Sequence, residues 1–87
     1  MEIHSAARKH GIDDASIEQA FNRAVVVADL EGDEAPWRQL IIGPDRAGNM
    51  LELIVLQLDD GRELVIHAMP LRRRYSRLLP RPDGPMP

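Results

Sequence analysis

His67, Arg72, Arg73, Arg74 and Tyr75 stand close together near the end of the chain, in the run VIHAMPLRRRYSRLLP at residues 65–80. A histidine beside several arginines and a tyrosine suits phosphodiester chemistry. Cleavage of RNA by its own 2′-hydroxyl needs a base for that hydroxyl, an acid for the leaving 5′-oxygen, and cations for the charge that develops on phosphorus. Arginines supply the cations, while His67, Glu52, Lys9, His10 and Tyr75 are the acid/base groups at hand. No metal or cofactor is required by this scheme. Each residue also has a structural reading. Arginines on a short helix lie in solvent with their stems over apolar neighbours. His67 can be a hydrogen-bonded sheet residue, Glu52 can pair with Arg38 on an adjacent strand, and Arg8, Lys9 and His10 complement a helix dipole at its C-terminus.

Other chemistries find less support. Cysteine is absent, which excludes disulfides and thiolate catalysis and leaves a cytoplasmic setting as the expectation. His4, His10 and His67 lack the spacing of metal motifs, and GPDRAGN matches neither the GxxxxGK[ST] nor the GxGxxG phosphate cradle. The N-terminus MEIHSAARKHG carries charges where a signal peptide needs an apolar run, and no stretch approaches the roughly 20 apolar residues of a membrane span. The formal net charge of −3 conceals an asymmetry. Residues 1–61 hold 5 basic and 12 acidic side chains, whereas residues 62–87 hold 6 and 2, so the basic end is local and begins near His67.

The elements that must position these groups form an α+β pattern within 87 residues, enough for one modest core. Ile3 to His10 predicts a short helix ended by Gly11. Asp13 predicts the N-cap of a second, DASIEQAFNRA, with Ile12 and Ile17 as a hydrophobic staple and Ile17, Ala20, Phe21 and Ala24 as its buried face. VVVAD reads as a short strand, followed by the polar loop LEGDEAP. WRQLIIG, MLELIVLQL and RELVIHAM then read as three stronger strands. Asp60-Gly61 predicts a two-residue type I′ hairpin. With Asp59 facing Arg62, Ile54 faces His67 and Val55 faces Ile66, which places Glu52, Ile54, Leu56, Val65, His67 and Met69 on one face. Glu52 and His67 become diagonal neighbours. Leu71, Tyr75, Leu78 and Leu79 predict the apolar stripe of a C-terminal helix. The expected architecture is two N-terminal helices, a three- or four-stranded antiparallel sheet and a short C-terminal helix. Residues 1–79 form one domain in this reading, and residues 80–87 a disordered proline-rich tail.

In this order, KHGI at Lys9 to Ile12, the amphipathic helix, the acidic loop, Arg38 leading into Ile42-Gly43, and Ile66-x-Ala68 followed by Arg73, Arg74 and Tyr75 resemble the BrnT family of bacterial type II toxins. The resemblance spans roughly residues 8–79. It differs at His67, where the family has serine, at Met69, where it has a basic residue, and at the missing aromatic-Trp-Asp start. The resemblance implies a RelE-like fold and a small endoribonuclease that inhibits translation by cutting RNA, on the ribosome or free. It also implies neutralisation by an antitoxin carrying a ribbon-helix-helix domain. In that reading His67, Glu52, Lys9 and Tyr75 are catalytic, and Arg38, Arg72, Arg73 and Arg74 bind RNA phosphates. The alternative, from a different class, is a non-catalytic protein-interaction module with a degenerate toxin fold, whose arginine helix meets an acidic partner or a second copy in a homodimer.

Overall fold

Asp13 starts the one substantial helix. Its backbone is extended and its carboxylate accepts a 2.8 Å hydrogen bond from the Ser16 amide, satisfying one of the unpaired donors of the first turn. The helix, α1, runs Asp14–Asn22 and buries Ile17 and Ala20, while Ile12 and Phe21 pack against the same core. This much agrees with the sequence pattern. The computed structural model describes residues 1–30, 32 and 36–80. The expected tail lies, from residue 81, outside them, as does most of the acidic loop.

Around α1 the chain builds a five-stranded sheet: β1 (Glu2–Ile3), β2 (Val26–Asp29), β3 (Trp37–Pro44), β4 (Met50–Gln57) and β5 (Glu63–Pro70), in the order β1-β5-β4-β3-β2. The pairings β2/β3, β3/β4 and β4/β5 are antiparallel, but β1 lies parallel to β5, with Ile3 beside Val65. The sheet is therefore mixed and forms most of the protein.

The expectation of two N-terminal helices before an antiparallel sheet of three or four strands is overturned. Ile3 is extended against β5 rather than helical, and only Ser5–Arg8 coils, as a single 3₁₀ turn. Four residues close too few hydrogen bonds to stand as a helix. What the local composition offered as helix, the pairing with β5 converts to strand and turn. At the other end, α2 is one turn, Arg73–Ser76, with no buried residue, and Leu78 is exposed, so the expected apolar stripe is not buried as a helix face.

One face of the sheet carries the core. Ile41, Leu51, Leu53, Val55, Val65 and Ala68 meet Ile17 and Ala20 of α1 and Ala7 of the 3₁₀ turn. Gly43 lets α1 come close: a Cβ there would overlap the carbonyl oxygen of Ala20 and stand 2.9 Å from its carbonyl carbon. The opposite face holds Leu40, Ile42 and Glu52, all buried.

The β4/β5 register departs from the predicted one in two places that offset each other. Among the described residues only glycines have positive φ, so Asp60 does not fit the type I′ turn. Instead Gly61 (φ 90°) alone takes the left-handed conformation, the Gly61 amide donates to the Leu58 carbonyl at 3.0 Å, and the Leu58 amide donates to the Arg62 carbonyl at 2.9 Å. The loop is thus one residue longer and pairs Gln57 with Glu63. A bulge then absorbs Ile66, so that Val55 faces Val65 but Ile54 faces His67. Val65 accordingly belongs to the core face and not to the face of Glu52 and His67.

Candidate functional site

Glu52 follows Leu51 and precedes Leu53 on β4, so strand alternation turns it away from α1. It is nonetheless fully buried, the sole charged residue in that class among the described residues. Arg72 explains how. The strand ends at Pro70, Leu71 donates its amide to the Met50 carbonyl at 3.0 Å, and the chain turns so that Arg72 closes over the carboxylate. Its backbone amide donates to Oε1 at 2.8 Å, Nε to Oε1 at 3.0 Å, and Nη2 to Oε2 at 2.8 Å. Burial pushes the Glu52 carboxyl up. The hydrogen bonds from the side chain and amide of Arg72 and from His67, with the Arg72 charge, outweigh it and hold the group below the ordinary carboxylate range.

His67 is the third member. Its Nε2 lies 3.2 Å from Glu52 Oε2, across the diagonal set by the Ile54–His67 and Glu52–Met69 pairs. An ionised carboxylate only accepts, so Nε2 carries a proton and donates, and Nδ1 is the ring nitrogen turned away from the carboxylate. Nδ1 makes no hydrogen bond among the described residues. The His67 side chain is 24% exposed, open enough for a ligand and enclosed enough to be held in place.

A fourth residue comes from the other end of the chain. The His4 amide donates to the Val65 carbonyl at 2.9 Å, and the His4 Nδ1 accepts from the Ala6 amide at 3.0 Å, pinning the 3₁₀ turn to the β5 edge. Arg8 then grips Asp14 with two bonds of 2.9 Å, tying the turn to the start of α1. Between these anchors His10 is set against His67, with ring centroids 5.8 Å apart and planes at 76°. The two imidazoles meet edge to face, close enough for both to reach one small ligand.

Tyr75 borders the cluster through arginine. The guanidinium of Arg72 lies 5.6 Å from its ring centroid and that of Arg74 lies 5.1 Å away. Arg73, Arg74 and Arg77 are exposed beside it. Of the residues singled out in the sequence, Glu52, His67, Arg72 and Tyr75 are thus gathered, with Arg73 and Arg74 adjoining. Lys9 is exposed at the end of the 3₁₀ turn, and its neighbour His10 is the residue that contacts His67.

Arg38 is placed elsewhere. It pairs with Leu56, whereas Glu52 pairs with Ile42, so the expected Arg38–Glu52 contact gives way to Arg72. Arg38 instead lines a cavity of about 280 Å³ with Asp29, Leu30, Trp37, Gln39 and Gln57. That cavity has no histidine in its lining, whereas His10 and His67 meet each other on the other side of the sheet order, at β5. Among the described residues no group of three or more histidine and acidic side chains is gathered to hold a metal, and no helix is long and apolar enough to cross a membrane. No family model, curated protein or solved structure matches the chain.

Proposed function

We propose that this protein is an endoribonuclease of the toxin type, cutting RNA through the paired histidines His10 and His67. The observation that carries the reading is the contact between these two rings, with His67 fixed by a buried carboxylate that Arg72 already neutralises. A structural ion pair would need only Glu52 and Arg72. The second histidine and the unbonded Nδ1 of His67 are what an acid/base pair adds.

In this mechanism His67 takes the 2′-hydroxyl proton at Nδ1, while Glu52 holds the ring by Nε2–H and stabilises the imidazolium that forms. The 2′-oxygen attacks phosphorus, the bond from phosphorus to the 5′-oxygen breaks, and His10 gives that oxygen a proton. The products are a 2′,3′-cyclic phosphate and a free 5′-hydroxyl. Arg73 and Arg74 meet the phosphates, and Tyr75 offers a face on which a base can stack. Arg72, committed to Glu52, acts as a positioning residue. The resemblance in sequence supports the further assignment to a bacterial toxin–antitoxin pair, with an antitoxin that covers the arginine surface.

A second reading rests on Arg72. A guanidinium spent on an internal carboxylate also staples the C-terminal segment to the sheet, as a non-catalytic interaction module would require. Incubation of antitoxin-free protein with total RNA, with and without ribosomes, separates the two. The ribonuclease gives fragments ending in 2′,3′-cyclic phosphate, and these vanish in His67→Ala and His10→Ala. Intact RNA after prolonged incubation with excess protein and ribosomes rejects that reading in favour of the module.

A further inference from the structure

The cavity beside Arg38 is walled by polar side chains that bond to one another in a row. Trp37, Gln39 and Ile41 alternate onto the face of the sheet that carries α1, and strand pairing sets Gln57 opposite Trp37 and Asp29 opposite Gln39. α1 covers this face near Gly43, whereas Trp37 is 42% exposed. Gln57 Nε2 donates to Glu63 Oε2 at 3.0 Å and to Gln39 Oε1 at 2.9 Å, and Gln39 Nε2 donates to Asp29 Oδ1 at 3.0 Å. A carboxylate stands at each end of the row and only accepts, so the orientation of both amides is fixed. Three groups are left over among the described residues: the second oxygen of Asp29, Gln57 Oε1, and one N–H of Gln39 on the nitrogen that already holds Asp29.

We propose that this cavity binds the guanine base of a nucleotide, stacked on Trp37. The Watson–Crick edge of guanine carries two neighbouring donors, N1–H and N2–H, followed by the acceptor O6. The Asp29 carboxylate answers the donors, and the spare Gln39 N–H answers O6. Adenine, cytosine and uracil each present a single donor group on that edge and leave the carboxylate half answered. The exposed indole supplies a face for the base. Arg38 lines the cavity and pairs with no carboxylate among the described residues, so its charge is available to a phosphate. A plain anion would meet Asp29 and a plain cation would meet Arg38, whereas a nucleotide answers both. The volume of about 280 Å³ lies at the lower end of ligand pockets, roughly 300–1,000 Å³, which suits one base with its sugar and phosphate at the mouth. A free guanine nucleotide and a guanosine within an RNA strand offer the same chemistry. The site is separate from His10 and His67 and does not rest on the cleavage reading.

Trp37 is the chain's one tryptophan, so quenching of its fluorescence reports a base stacked here. The full chain is titrated with GMP, AMP, CMP and UMP to about 1 mM, and GMP binds at least about tenfold more tightly than the other three. Asp29→Asn removes that preference, and Arg38→Ala lowers the affinity for GMP to that for guanosine. By calorimetry Trp37→Ala weakens binding about tenfold, while Trp37→Phe keeps the stack and most of the affinity. His67→Ala leaves the affinity for GMP unchanged, so failure here is distinct from failure of the ribonuclease reading. On that variant, tighter binding of an RNA trinucleotide with a central guanosine assigns the pocket to RNA, and tighter binding of GMP assigns it to the free nucleotide. No binding of GMP up to about 1 mM, equal affinities for the four nucleotides, or a guanine preference that survives Asp29→Asn overturns the proposal.

Discussion

Arg72 closes on Glu52 with its backbone amide and the Nε–Nη2 edge of its guanidinium, yet the two partners stand in different surroundings: the Glu52 side chain is fully buried, while that of Arg72 is 40% exposed. Removing either partner therefore has a different consequence. An arginine freed of its carboxylate can turn to water. A carboxylate freed of the arginine side chain stays buried, with the backbone amide of residue 72 and His67 as its remaining partners.

Glu52→Gln keeps the shape and loses the charge, and is expected to cost about 1–3 kcal/mol at neutral pH. Arg72→Ala should cost more than Glu52→Gln at neutral pH, and its cost should shrink in acid. The sign follows from linkage. In the wild type the folded-state value of Glu52 is depressed, so its contribution is present above the ordinary carboxylate value of about 4.3 and is lost as pH falls through the depressed folded value. Without Arg72 burial dominates and the folded value rises above the unfolded one, so protonation on acidification relieves the strain. Urea unfolding of wild type and Arg72→Ala at pH 7 and about pH 4 checks this; a difference that grows in acid contradicts the account.

His67→Ala and His10→Ala should each lower RNA cleavage by about a hundredfold or more, with the fold unchanged, because each removes one half of an acid/base pair. The double variant should be far less than multiplicatively worse, since residues that act as a unit do not add. Lys9→Ala should leave the rate near that of the wild type, as Lys9 stands at the end of the turn with its side chain exposed. Single-turnover cleavage of a labelled RNA measures all four. Additive losses from the two histidines argue for separate roles.

The closeness of Glu52 and His67 was legible in the sequence, though for a partly mistaken reason. A hairpin loop one residue longer than Asp60-Gly61 implied shifts the register one way, and the bulge at Ile66 shifts it back, so Ile54 meets His67 regardless. Between the two irregularities the reading fails, and Val65 moves to the core. The pairing of Glu2 and Ile3 with Leu64 and Val65 left no local signal, because a two-residue strand has no periodicity and Ser5-Ala6-Ala7-Arg8 composes well as helix. His10 was among the acid/base groups, but its contact with His67 depends on that remote pairing. Arg72 read as one phosphate-binding arginine among several, since nothing local shows that Glu52 will be enclosed and need a counter-charge.

Gly43→Ala should destabilise the protein by about 1–3 kcal/mol, as a methyl group forced into a packed contact does. The cause is contact and not backbone conformation: the added Cβ would overlap the Ala20 carbonyl oxygen, and α1 would have to lift from β3. The loss should appear in thermal unfolding, together with a weakened contact at Ile17 and Ala20 seen as faster amide exchange in α1. A melt equal to that of the wild type shows that α1 can shift without cost.

The arginines of the C-terminal segment should divide by the company they keep. Arg73 and Arg74 are exposed, Arg74 stacks on Tyr75 at 5.1 Å, and neither pairs with a carboxylate among the described residues. Their charges are free to displace counterions from RNA. Arg73→Ala and Arg74→Ala should each lower the slope of log affinity against log salt by about 0.7 on single-stranded RNA, one phosphate contact apiece, with little change in stability. Arg72→Ala should instead affect stability first and the salt slope less, because its charge is already matched by Glu52. Fluorescence anisotropy of a labelled oligonucleotide over a salt series reads both quantities. Equal slopes for wild type, Arg73→Ala and Arg74→Ala exclude this surface as the RNA contact, and a slope lost chiefly in Arg72→Ala means that RNA competes with Glu52 for that guanidinium.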